Sequence, residues 1–257
     1  NAQIPAMHHT RIHPSGTYII INSPFQRTSH EAIVQALEQY NEPYERVDAR
    51  EIPGLYPELR MFPSDAIYIP NERSIDPNSV LNALEVALKE SGQVVSTNAF
   101  ATRLCVDSSK SVTGVQLDNG KVLEAGNVVL AAGIGCQQLI DQIPDLDGRI
   151  PRLFAGDGAS MLLDQSLLEY KQRIQHVIRT PTGAGACGIH IVPRSTSSIY
   201  LGAGNMMQLQ PENMSLPGVS LASVLWIQSC ATEQINGHLK AARIRSLHQG
   251  SRPISLD

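Results

Sequence analysis

One arginine has a position that could serve substrate binding. Arg252 lies in the segment GSRPISLD (250–257), where the nearby glycine and proline predict a loop. The planar guanidinium of an arginine can hold a carboxylate through two parallel hydrogen bonds, and binding residues are often placed on loops. The alternative is an ordinary surface arginine, which composition alone favours.

Two glycine-rich segments could bring backbone close to a phosphate or a flat ligand. GAGACG (183–188) matches GxGxxG, but it leads into the alternating segment IHIVP and not into a helix. A dinucleotide fingerprint needs a strand before it and a helix after it, so we assign this motif no cofactor. VVLAAGIGCQQLI (128–140) carries Gly133 and Gly135 between an apolar run and a helical stretch. This segment indicates either a turn that a ligand approaches or a tightly packed strand-to-helix turn, and spacing does not decide between them.

The histidines and cysteines do not have metal-ligand spacing. His8, His9 and His13 are close in sequence, yet no carboxylate or thiol accompanies them, so they indicate a solvated segment. His190 lies in a strand-like segment, where a histidine is usually structural unless a pocket surrounds it. The cysteines are widely spaced and predict reduced thiols, with neither a zinc site nor a disulfide framework: Cys105, Cys136, Cys187 and Cys230. No GxSxG, HExxH or phosphate-binding loop motif supports a hydrolase or kinase.

Composition and charge restrict the class of protein. A hydrophobic content of 42% and a charged content of 17% are typical of a globular protein. The net charge is −4 and lysine and arginine are scattered, which argues against nucleic acid or an anionic membrane as a partner. The longest apolar run, near 128–134, is too short to span a bilayer, and the first residues do not resemble a signal peptide. We therefore expect no nucleic acid and no membrane span, and the predicted reduced thiols indicate a cytoplasmic setting.

The first half of the chain predicts a strand, two helices and an intervening loop. GTYIII (16–21) predicts a strand, and residues 27–41 predict a helix opened by the capping pattern Thr28-x-x-Glu31. Residues 53–63 are broken by proline and glycine and predict a loop. The clearest helix covers 76–92, with an aspartate at its N-cap, proline at its first position, glycine after its end and one apolar face.

The second half predicts strands of two kinds. Asp118-Asn119-Gly120 predicts a hairpin turn, and NVVLAAG (127–133) predicts a parallel strand that is buried on both faces. From Arg173 onward, alternating segments predict antiparallel strands, with RSTSS (194–198) as a hairpin loop. A helix over 220–235 and a strand over 241–245 follow. The fold class is therefore mixed α/β, with an α/β piece inserted between antiparallel segments.

The order of these segments resembles the D-amino-acid oxidase-like family of FAD enzymes, which includes glycine oxidase and sarcosine oxidase. The matching segments cover most of the chain: PSGTYII (14–20), VDAREIPGLYPEL (47–59), IDPNSVLNALEVALKESG (75–92), VTGVQLDNGKVLEAGNVVLAAGIG (112–135), IHIVPRSTSSIYLGAGN (189–205) and GSRPISLD (250–257). The resemblance implies part of an FAD-binding Rossmann-like domain interleaved with an antiparallel-sheet substrate domain. It implies substrate-domain residues over 1–75 and 151–245, and FAD-domain residues over 76–150 and 246–257.

The resemblance also implies roles for individual residues. Beside the FAD cofactor it places four small residues, with Ala101 near the adenine: Ala101, Ala131, Ala132 and Gly133. It makes Arg252 the ligand of the substrate carboxylate. His190 takes the position of a substrate-facing tyrosine in glycine oxidase-like members, and Asn205 follows the LGAG turn into the same pocket. No catalytic side chain and no metal are implied.

These roles imply an oxidoreductase whose substrate is a small-molecule amine or amino acid. Hydride would pass from the carbon that bears the amine to the flavin, and the protein would contribute orientation and a dry pocket. Family members begin with a strand and GxGxxG and continue past the Arg-Pro-x-x-x-Asp phrase. We therefore expect these residues to be the central part of a longer enzyme. The alternatives are a non-catalytic, partner-dependent subunit of a flavoprotein complex and a hydroxylating flavoprotein. The sequence is compatible with a homo-oligomer.

Overall fold

The computed structural model describes residues 12–13, 16–146, 149–181, 188–204, 206–208 and 218–255. The chain divides into two compact units, each assembled from separated stretches of sequence. The first unit comprises Asn1–Glu90, Gly158–Met206 and Pro217–Gly250. The second comprises Ser91–Asp157, Met207–Leu216 and Ser251–Asp257.

Groups of strands lie between successive helices along the chain. The helices are α1 (Arg27–Gln39), α2 (Pro77–Ser91), α3 (Gly135–Ile140) and α4 (Leu221–Gln234). The strands up to the start of α3 are β1 (Ile12–His13), β2 (Thr17–Ile21), β3 (Glu45–Arg46), β4 (Asp65–Ile69), β5 (Ser74–Ile75), β6 (Ala101–Val106), β7 (Val112–Leu117) and β8 (Val122–Glu124). The later strands are β9 (Leu153–Asp164), β10 (Val177–Arg179), β11 (His190–Pro193), β12 (Ser198–Gly202), β13 (Met206–Gln208) and β14 (Arg243–Ser255).

A mixed sheet dominates the described residues. Its strand order is β13-β9-β12-β11-β10-β2-β4-β3, with β14 also paired to β9. Strands β10 and β2 are parallel, whereas the pairs β9–β12, β12–β11, β11–β10 and β2–β4 are antiparallel. The antiparallel strands predicted after Arg173 are therefore confirmed, although β10 also has a parallel neighbour. The strand β9 was not predicted from the sequence.

One face of this sheet, here called the core face, carries the main hydrophobic core. Successive residues of a strand point to opposite faces, and directly paired residues share a face. A row across β9, β12, β11 and β10 is at most 1% exposed: Met161, Leu201, Ile191 and Ile178. Ile227 and Ala231 of α4 belong to the same buried cluster. Helix α4 therefore covers the core face.

On the opposite face of the sheet, here called the polar face, α1 packs over β2 and β4. Ile19, Ile67 and Ile69 pack there against Val34 of α1. Over β9, β12, β11 and β10 the same face bears the half-buried residues His190, Val192, Tyr200 and Leu162. These half-buried side chains remain partly accessible.

The second unit contains a separate antiparallel sheet with strand order β6-β7-β8. The predicted hairpin between β7 and β8 is confirmed, and Gly120 has the positive φ of 80° that a tight turn requires. Helix α3 follows this sheet. Gln137 of α3 ties the start of β9 to the helix, because its Oε1 accepts a hydrogen bond of 2.8 Å from the Leu153 amide.

Several predicted helices and strands are confirmed by the structure. The strand at 16–21 appears as β2, and the helix at 220–235 appears as α4. Helix α2 begins at Pro77 and is capped by Asp76, whose Oδ1 accepts a 3.1 Å hydrogen bond from the Asn78 amide. The apolar side of α2 remains open, however, since Leu81 is 63% exposed.

Two local predictions are wrong. Thr28 does not cap α1, because the chain enters through a 3₁₀ turn at Pro24–Gln26 that is capped by Ser23, and Thr28 is already helical. Residues 127–132 do not form a buried strand, and Val129 is 88% exposed. A parallel strand needs a neighbouring strand to pair with, and in the described part of this unit β6, β7 and β8 pair only with one another. No helix in the described ranges is long and apolar enough to cross a membrane.

Candidate functional site

The hairpin of β11 and β12 supplies a compact group of side chains on the polar face. In its register His190 pairs with Gly202, and Val192 pairs with Tyr200. These four residues therefore share one face, while Ile191 and Leu201 point into the core. Because the hairpin lies inside a paired sheet, the side chains on this face have a rigid support.

His190 and Tyr200 stack over Gly202. Their ring centroids are 5.8 Å apart and the ring planes differ by 24°. A Cβ atom added at Gly202 would lie 3.0 Å from Tyr200 Cε1 and 3.1 Å from His190 Nε2, closer than ordinary carbon contacts. Glycine at position 202 therefore gives both rings the space that they occupy.

Two arginines flank this stack and hold a segment that runs from Glu72 to Ile75. Arg179, the cross-strand partner of His190, binds the Glu72 carboxylate through Nε and Nη2 at 2.9 and 3.0 Å. Arg194 donates from Nη1 to the Ile75 carbonyl at 3.1 Å, and its Cζ lies 5.4 Å from the centroid of the Tyr200 ring. The segment is thus fixed beside the His190–Tyr200 stack at both of its ends.

A carboxylate at the end of β9, that of Asp164, lies on the same face. Asp164 pairs with Ser198 of β12 and forms an ion pair with Arg245. Its Oδ1 also accepts a 2.8 Å hydrogen bond from the Ser166 amide. Hydrogen bonds from the backbone and side chain of Ser166, followed by the Arg245 guanidinium, lower the pKa of Asp164 from 3.8 to about 2. Asp164 is therefore charged at neutral pH and neutralises Arg245.

The second unit places the predicted flavin-adjacent residues at a turn. Ala131, Ala132 and Gly133 are exposed, and Gly133 has a φ of 58° with nothing within 4 Å of an added Cβ. The turn is held by α3, because the Ala132 amide donates a hydrogen bond of 3.2 Å to Sγ of Cys136 in that helix. Small side chains on an exposed, fixed turn leave its backbone open to a flat ligand, so these residues fit the approach of a flavin.

Ala101 and Arg252 belong to the same unit as this turn. Ala101 opens β6 and is exposed, and the neighbouring Thr102 carbonyl accepts a 2.9 Å hydrogen bond from Gln142, just beyond the C-terminal end of α3. Arg252 was predicted in a loop, and that prediction is wrong: it is an exposed residue of β14. Pro253 lacks an amide hydrogen, so its presence in β14 is compatible only with a position that donates no ladder bond.

The predicted residues are thus distributed over both units. Ala101, Arg252 and the turn at 131–133 lie in the second unit, and His190 lies in the first. Asn205, the histidines at 8 and 9, and residues 183–187 of the GxGxxG match lie outside the described residues. No group of three or more potential metal ligands occurs where the structure is described, and Cys105, Cys136 and Cys230 are free thiols.

Sequence reasoning missed several residues of the polar face. Tyr200, Gly202 and Arg194 could have been found, because a hairpin centred on RSTSS places 190, 192 and 194 on the same face as 198, 200 and 202. The ion pair of Glu72 with Arg179 had no local signal, since the two residues are 107 positions apart.

The fold defines a class of protein, and comparison with known proteins shows the family. A mixed sheet and a separate antiparallel sheet match those of solved glycine oxidases. The family model DAO, described as FAD dependent oxidoreductase, matches residues 3–257. The chain belongs to this family, and the cofactor of the family is FAD. A search of curated proteins found no match.

Three solved structures illustrate the similarity. Glycine oxidase from Bacillus cereus aligns with 95% of this chain and 62% of its own, at a TM-score of 0.72 and 18% identity. Iminodiacetate oxidase from Chelativorans sp. BNC1 aligns with 96% of this chain and 62% of its own, at a TM-score of 0.72 and 18% identity. L-α-glycerophosphate oxidase from Mycoplasma pneumoniae was solved with FAD bound. It aligns with 96% of this chain and 63% of its own, at a TM-score of 0.74 and 13% identity. The chain thus spans less than two thirds of these proteins.

Proposed function

We propose that this chain is part of an FAD-dependent oxidoreductase that oxidises an amine or amino acid by hydride transfer from the amine-bearing carbon to the flavin. The observation that carries the proposal is the family match over residues 3–257. The choice of an amine is supported by glycine oxidase and iminodiacetate oxidase among the similar structures, both at 18% identity.

Four residues of the second unit are proposed to lie beside the cofactor: Ala101, Ala131, Ala132 and Gly133. Support comes from the exposed, small-residue turn at 131–133 and from its fixed hydrogen bonds to α3. When bound, FAD would supply the hydride acceptor. The contribution of the turn is steric, because larger side chains there would keep a flat ring system away from the backbone.

Arg252 and His190 are proposed to bind the substrate, and Asn205 keeps the same proposed role. An arginine can hold a carboxylate through a charge-assisted pair of hydrogen bonds, which would orient the amine-bearing carbon. His190 is positioned by its stack on Tyr200 and by the space above Gly202. In this scheme the side chains bind and orient the substrate and exclude water, and none of them forms a covalent intermediate.

A comparison of two substrates tests the role of Arg252. In the full-length, flavin-loaded protein, we expect Arg252→Ala to raise KM for a carboxylated amine by about tenfold or more, since a hydrogen bond to a charged group contributes about 1.5–3 kcal/mol. KM for a neutral amine should change much less. Arg243→Ala, an exposed arginine of the same strand, is the matched control. Equal effects of Arg252→Ala on both substrates would remove the assigned role.

The setting and assembly of the protein are also proposals. We infer a cytoplasmic, small-molecule enzyme, on the basis of composition and of widely spaced cysteines that predict reduced thiols. Cell fractionation tests the location, and light scattering of the purified protein tests whether a homo-oligomer forms.

A further inference from the structure

The arginines near the polar face differ in how their charges are neutralised. Arg179 is paired with Glu72 and Arg245 is paired with Asp164. Arg194 makes no ion pair with any carboxylate in the described part of the chain, and its side chain is half-buried. A partly desolvated guanidinium without a counter-charge favours an anion from outside the protein.

The contacts of Arg194 also determine which of its hydrogen-bond donors are available to a ligand. Nη1 is bound to the Ile75 carbonyl, and the guanidinium lies near the Tyr200 ring. Within the described residues, Nε and Nη2 have no partner. In Arg179, the corresponding two nitrogens, Nε and Nη2, hold both carboxylate oxygens of Glu72. Arg194 therefore presents an oriented edge whose geometry matches a carboxylate or a phosphate.

Arg194 lies on the same hairpin as Tyr200 and His190. Arg194, Tyr200 and His190 follow one another across the hairpin, with the guanidinium near one ring and the two rings stacked. The backbone of Arg194 is fixed by a 2.8 Å hydrogen bond from its amide to the Ser198 carbonyl. An anion held by Arg194 would thus lie on the same face of the hairpin as His190, to which substrate contact is assigned.

We propose that Arg194 binds a second oxyanion of the substrate, besides its carboxylate. The assignment rests on the proposed function and narrows its substrate class to amines that carry a second acidic group. Arg179 is already saturated by Glu72 and serves to fix the segment from Glu72 to Ile75.

The experiment uses the full-length, flavin-loaded protein and follows the change of its visible flavin absorbance as ligands bind. Succinate, glutarate and adipate are each compared with the monocarboxylate of the same carbon number. 3-Phosphonopropionate is compared with succinate and distinguishes a phosphate-type oxyanion from a carboxylate. We expect the wild-type protein to prefer at least one doubly acidic ligand by about tenfold or more, in line with a charge-assisted hydrogen bond.

Three variants separate binding from folding. Arg194→Met should abolish the preference for the second acidic group. Arg194→Lys keeps the charge without the paired donors, and should retain a reduced preference. Arg243→Met removes an exposed arginine of β14 and should retain the preference in full.

The inference is overturned if the wild-type protein shows no preference at any chain length, if Arg194→Met retains it in full, or if Arg243→Met abolishes it as well. A preparation that holds no flavin would instead overturn the proposed function, and this inference with it. Flavin that responds to monocarboxylates but shows no preference would leave the proposed function intact and remove only the role of Arg194.

Discussion

Asn236 holds three backbone groups together just beyond the end of α4, and its replacement should lower stability strongly. The residue is fully buried at the end of α4. Its Nδ2 donates to the Gly54 and Gln172 carbonyls at 2.8 and 2.7 Å, and its Oδ1 accepts from the His238 amide at 2.8 Å. Asn236→Ala would remove all three bonds.

The expected loss of unfolding free energy follows from the number of hydrogen bonds removed. A hydrogen bond contributes about 1 kcal/mol net, and a buried polar group that is left without a partner costs about 1–3 kcal/mol. We therefore expect Asn236→Ala to lower the free energy of unfolding by about 3 kcal/mol or more. Asn236→Asp should cost at least as much, because a carboxylate cannot donate to the two carbonyls.

Urea unfolding of the full-length protein, followed by circular dichroism and Trp226 fluorescence, measures the effect. Asn22→Ala is the matched control, since Asn22 Nδ2 makes one hydrogen bond, of 2.9 Å, to the Gln234 carbonyl. Its loss should cost about 1 kcal/mol. If Asn236→Ala cost no more than Asn22→Ala, the three-bond account of Asn236 would be refuted.

Two further predictions concern the polar face. Because the pKa of Asp164 is lowered to about 2 from its usual 3.8, its stabilising effect is complete above that usual value and is lost as pH falls towards 2. Acid titration of stability should therefore show a shallower decline between these values for Asp164→Asn than for the wild-type protein, and parallel curves would contradict the assignment. Gly202→Ala should displace the His190 and Tyr200 rings, lower stability by about 1–3 kcal/mol and raise substrate KM. Gly204→Ala is its control, because an added Cβ there meets Trp226 at an ordinary 3.6 Å, and equal losses in both variants would contradict the packing account.

Local signals made parts of the fold predictable. The cap and proline of α2 act within one helical turn, and the Asn-Gly turn between β7 and β8 needs only its own backbone preference. Such features are encoded by neighbouring residues and do not depend on distant packing.

Features that depend on distant partners were less predictable. The apolar run at 127–133 has the composition of a buried strand, but a strand forms only where another can pair with it. Arg252 was expected in a loop because of its glycine and proline neighbours, yet β14 continues through it. In the candidate site, alternation could assign a face to His190 and Tyr200, whereas the pairing of Arg179 with Glu72 depends on the folded sheet.

The proposed oxidation of an amine by a bound flavin is tested by anaerobic mixing. Full-length protein, purified and flavin-loaded, is mixed without oxygen with glycine, sarcosine and iminodiacetate in turn, and its visible absorbance is recorded. We expect at least one amine to bleach the flavin bands. A preparation without flavin, or a flavin that is reduced by a hydroxyl substrate such as glycerol 3-phosphate and by none of the amines, would contradict it.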